Sequence, residues 1–122
     1  MQRRRFLALV RQALDDLPPP YCHWLENVDV VLERRPRSRH LHHVGLGPHE
    51  TLFGLYEGIP LTERTADYGM VLPDKITIFQ EPLEQAFSQD DELVEEVRTT
   101  VVHELAHYFG ISDEQLERLG LE

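Results

Sequence analysis

The chain has 122 residues, 41% hydrophobic and 28% charged, with a net charge of -10. That length suits one domain with one core, residues 1–122, and the proportions are those of an ordinary soluble globular protein. An acidic surface repels phosphate backbones, so nucleic acid is not an expected partner.

The charge is uneven. Residues 1–39 hold eight of the twelve basic groups, all Arg, whereas residues 81–122 hold twelve acids against Arg98 and Arg118. Cys22 has no second cysteine to pair with, which fits a reducing compartment. The apolar run Phe6–Val10 is too short for a secretory signal and no stretch reads as a membrane span, so a cytoplasmic location is expected.

Residues 3–17 read as an amphipathic helix, with Phe6, Val10, Ala13, Leu14 and Leu17 on one face and Pro18-Pro19-Pro20 ending it. A short helical turn over 21–25 follows, with Trp24 as its expected core anchor. Residues 27–34 carry Val28, Val30, Val31 and Leu32 and read as a strand. Residues 35–50 read as a solvated loop bearing His40, His42, His43 and His49. A second metal site there is the alternative. Residues 51–58 form a second strand, in which Gly54 predicts a bulge or a close approach by another backbone. Residues 76–80 show a two-residue alternation expected of a half-buried strand, and residues 70–72 are a candidate fourth.

Pro82 marks a short helix over 83–87, and Ser88-Gln89-Asp90-Asp91 signals a long one running to Phe109. Leu93, Val97, Val101, Leu105 and Phe109 form an unbroken i+4 stripe on it. Thr99, His103 and His107 lie about 200° away, given the ~100° turn per residue. Ser112 with Gln115 makes a capping box for a final helix. The order of elements is α+β.

Within the long helix lies His103-Glu104-Leu105-Ala106-His107, followed by Gly110 and Asp113. Two His four residues apart share a helix face, so both imidazoles can reach one ion. In a continuous helix Asp113 would stand about 15 Å along the axis from His103. Gly110 lets the chain reverse, which makes Asp113 the expected third ligand, with Glu114 or Glu117 in competition. Zinc accepts such a set and keeps a position for water, and Glu104 is placed to act as general base on that water.

The stretch H-E-L-A-H-Y-F-G-I-S-D resembles the motif of the zincin-like metallopeptidases, specifically the small bacterial minimal zincins. The likeness extends to the leading helix ending in Leu-Pro, G-L-Y-E-G at 54–58, P-D-K-I-T-I-F at 73–79 and V-V-H-E at 101–104. It implies a three- or four-stranded mixed sheet packed on the motif helix with flanking helices. It also implies zinc at His103, His107 and Asp113, with Glu104 as catalytic base. In larger zincins a sheet edge pairs with the substrate backbone. With nine residues after Asp113, neither a Met-turn nor a lower subdomain is expected, and short or extended peptides are the expected substrates. Tyr68, Tyr108 and the loop histidines are candidate oxyanion donors. A non-catalytic, zinc-stabilised binding protein is the alternative, and a metal-dependent ribonuclease a more distant one.

Overall fold

The computed structural model of the chain describes residues 2–43, 52–58 and 74–108. Helix α1 (Arg3–Asp15) forms on the expected pattern and buries Phe6, Leu9, Val10 and Ala13. Its C-terminal end passes into the proline run, where Tyr21 N–H donates to the Pro18 carbonyl at 3.0 Å. Helix α2 (Tyr21–Trp24) and a 3-10 turn (Leu25–Asn27) lead into the sheet. The anchor of this corner is Tyr21, 1% exposed, rather than Trp24. Trp24 is half-buried and meets the Tyr21 ring edge-on, with centroids 5.4 Å apart. The smaller ring lies within the core cluster and the larger one packs against it from outside.

Strands β1 (Val28–Glu33), β2 (Gly54–Glu57) and β3 (Asp74–Phe79) form a mixed sheet in the order β1-β3-β2. β1 runs parallel to β3, with Val30 opposite Ile76, and β2 runs antiparallel, with Tyr56 opposite Ile76. The alternation expected for β3 is not followed, because Ile76, Thr77, Ile78 and Phe79 are all fully buried. β3 is the central strand. Ile76 and Ile78 face the main core. Phe79 meets the ring of His40 from α3 (Ser38–His43), with centroids 5.0 Å apart.

His40 therefore departs from the expected solvated loop, being 0% exposed on a short helix. Its Nδ1 accepts the Arg37 backbone N–H at 2.9 Å, and its Nε2 stands 3.5 Å from Glu33 and 3.8 Å from Glu57. A ring that accepts at Nδ1 carries its proton on Nε2, which leaves it no lone pair for a second metal. The side chains of His42 and His43, and all of His49, lie outside the described residues.

Helix α4 (Gln80–Ala86) starts directly after β3, two residues before Pro82, which falls within its first turn. That turn has no intrahelical acceptors for its N–H groups, so proline is tolerated there. Helix α5 (Asp90–Tyr108) follows, with Asp90, Asp91 and Glu92 at its electropositive start. Its stripe of Leu93, Val97, Val101 and Leu105 is at most 1% exposed, and Val94, Val102 and Ala106 widen it. α5 packs on the sheet and against α1. The two helices run in the same sense, since Arg5 pairs with Asp90 at 2.7 Å and Asp16 with Arg98 at 3.3 Å. Both bridges are exposed and set alignment more than stability.

Among the described residues no helix is long and apolar enough to cross a membrane. The candidate fourth strand at 70–72, the final helix with its Ser112 cap, and Tyr68 lie outside the described residues.

Candidate metal centre

The second half of α5 presents the motif beside β2. His103 is half-buried and His107 exposed, so the motif sits at the surface rather than in an apolar interior. The two rings share a helix face, with centroids 5.7 Å apart and planes at 80°. Imidazoles bound to one ion at ~2.1 Å with a near-tetrahedral angle have centroids about 5 Å apart. The separation is close to what a shared zinc requires, and nitrogen donors of this kind suit that ion.

Glu104 points to β2 instead. Its Oε1 accepts the backbone N–H of Tyr56 at 2.9 Å. The strand register explains why this donor is available. Phe79 N–H donates to the Phe53 carbonyl at 2.9 Å, so Phe53, Leu55 and Glu57 turn their backbone groups toward β3. Gly54 and Tyr56 turn theirs outward, and Glu104 takes up one of them. Burial raises the Glu104 carboxyl above its ordinary value, while the Tyr56 N–H, His107 and His103 pull it down.

Tyr56 is fixed at three points. Its hydroxyl donates to Asp74 Oδ2 at 2.6 Å in a buried setting, and its ring stacks on Tyr108 at 4.0 Å. The Tyr108 ring also covers Gly58, where a Cβ would meet it at 3.3 Å. Gly54 permits a close strand–helix approach. A Cβ there would stand 2.6 Å from Thr100 Cγ2 and 3.2 Å from the Thr77 carbonyl. The nearest group is thus a side chain of α5 rather than the other backbone expected at Gly54, with the Thr77 backbone carbonyl second.

Among the described residues no three His, Cys, Asp or Glu converge on a common point. His103 and His107 are described, whereas Gly110, Asp113, Glu114 and Glu117 lie outside the described residues. Pattern reading missed the Tyr56 amide, because backbone direction at a strand edge depends on register. It also missed Glu96, which shares a cleft with His103. The seven-residue spacing from Glu96 to His103 was its available signal.

Residues 25–121 match the family model described as zincin-like metallopeptidase. The chain belongs to this family. Membership implies a metal, typically zinc, and a peptidase-like activity. The fold is also that of a conserved hypothetical protein from Thermus thermophilus, whose solved structure aligns with a TM-score of 0.56 at 22% identity, over 89% of this chain and 94% of that one. Among curated proteins no sequence matches the chain.

Proposed function

We propose that this zincin-like protein is a zinc-dependent peptidase acting on short or extended peptides. The observation that carries the reading is Glu104, held by the Tyr56 amide beside a histidine pair of ligand geometry, in a family of metallopeptidases. His103 and His107 hold the zinc, and Asp113 supplies the third ligand.

Zinc held by these residues would supply acidification of a water and polarisation of a carbonyl. Glu104 then accepts a proton on the oxygen not engaged by Tyr56 and returns it to the leaving amine. The fixed Oε1 bond keeps the carboxylate oriented through both transfers. An extended peptide would lie along the outer edge of β2, pairing with the outward Gly54 N–H and the Gly54 and Tyr56 carbonyls, while the Tyr56 N–H stays with Glu104.

Zinc content and cleavage of a peptide library test this in wild type, Glu104→Gln, His103→Ala and Asp113→Ala. Glu104→Gln should keep zinc and fold but lose cleavage, and either ligand variant should lose zinc. Unchanged zinc in His103→Ala would overturn the ligand assignment. A zinc-loaded wild type that cleaves nothing would favour a zinc-stabilised binding protein.

A further inference from the structure

A cavity of about 220 Å³ opens beside the motif, toward the start of α5. Phe53 and Gly54 form its strand wall, and Glu96, Thr99 and Thr100 its helix wall, with His103 and Glu104 at the motif end. Positions 96, 99, 100 and 103 lie three and four residues apart, so they line one stripe of α5. The Phe53 ring is braced against Phe87, with centroids 5.9 Å apart. A water takes about 30 Å³, so the space suits one unbranched side chain rather than a length of peptide.

Ring and methyl groups make up much of the wall, and Glu96 adds a carboxylate. Among the described residues no Lys or Arg pairs with it. Arg98 is turned away, at 2.8 Å from Glu95 and 3.3 Å from Asp16. The charged neighbours that act on Glu96 are Glu95 and His103. Seven helical residues put Glu96 about 10 Å along the axis from His103. At the backbone the two are about two turns apart, although both side chains line the cavity.

We infer that this cavity receives a lysine or arginine side chain of the peptide, beside the cleaved bond. The methylene stem lies against Phe53 and the threonine methyls, and the cationic head meets Glu96. The inference rests on the peptidase reading and adds the substrate class.

The test compares peptides that differ by lysine against norleucine, scanned through positions flanking the cleaved bond. Zinc-loaded wild type should cleave the best lysine peptide about tenfold faster than its norleucine twin, as one part-buried ion pair would give. Glu96→Gln should shrink that ratio to within about twofold. Calorimetry on zinc-loaded Glu104→Gln should show the same preference in binding.

Equal handling of the twins overturns the inference and leaves the peptidase reading standing. A parallel loss on both peptides with lowered zinc content in Glu96→Gln also overturns it, since Glu96 would then be positioning His103. Preferential binding of lysine peptides without cleavage supports the subsite and overturns the peptidase reading instead. Neither binding nor cleavage overturns both.

Discussion

The Tyr56 amide donates to the Glu104 side chain at 2.9 Å, so a strand edge holds the carboxylate that lies between the two histidines in sequence. Glutamine at 104 keeps a carbonyl oxygen in the same place but cannot take a proton. Glu104→Gln should unfold within ~0.5 kcal/mol of wild type yet lose on the order of 10²–10⁴ in cleavage rate. Glu104→Ala should also lose about 1 kcal/mol in urea unfolding, because the amide loses its acceptor. A Gln variant as active as wild type would remove Glu104 from the chemistry.

Gly54 tests how closely strand and helix must approach. A Cβ at 2.6 Å from Thr100 Cγ2 can be relieved by moving or removing that methyl, but the Thr77 carbonyl at 3.2 Å is backbone. Gly54→Ala should therefore destabilise by about 1–3 kcal/mol. Gly54→Ala with Thr100→Ser should recover part of that loss, a coupling that a double-mutant cycle by chemical denaturation reads directly. Strict additivity would show that the contact is not the source of strain.

The Tyr56 hydroxyl donates to Asp74 at 2.6 Å, and both residues are buried. Tyr56→Phe keeps the stack on Tyr108 and removes this charge-assisted bond. The expected loss is about 1.5–3 kcal/mol in thermal or urea unfolding. A loss under about 0.5 kcal/mol would mean that the bond is not formed in solution.

His40 gives a pH dependence with a definite sign. Burial, then Arg39, lowers its pKa from the ordinary 6.5, outweighing the pull of Glu33 and Glu57; Lys75 also lowers it. The unfolded chain then binds the proton more readily than the folded one. The stability His40 contributes is present above pH ~6.5 and is lost as pH falls through its lower folded value. Protonation would also remove Nδ1 as acceptor for the Arg37 amide. Urea midpoints measured from pH 7.5 to 4.5 should fall more steeply in wild type than in His40→Gln. Parallel curves would remove His40 from the acid response.

Much of the helical frame was legible because a helix carries its packing face in its own spacing. Phe6, Val10 and Ala13, and the run Leu93, Val97, Val101, Leu105, are buried as their periodicity implied. The histidine pair was legible for the same reason. The rest depends on what a distant segment brings. Thr77 looks like an outward position, but β3 has a strand on each side and cover on both faces. His40 looks like loop solvent, but Phe79 and two glutamates meet it. The Tyr56 amide needed the strand register. These are pairings between segments, and no local pattern encodes them.

The family match begins at residue 25, whereas α1 ends at Asp15. Yet Phe6 and Ala13 are 0% exposed in the same core as Val97 and Val101 of the motif helix. The family match therefore stops short of the leading helix to which the resemblance was expected to extend, and its border differs from that of the folding unit. A fragment cut at residue 25 would carry the whole motif but bare the back of its helix to water. Such a fragment would be expected to aggregate or to recruit a substitute helix, so a test of the metal centre needs the first 24 residues in place.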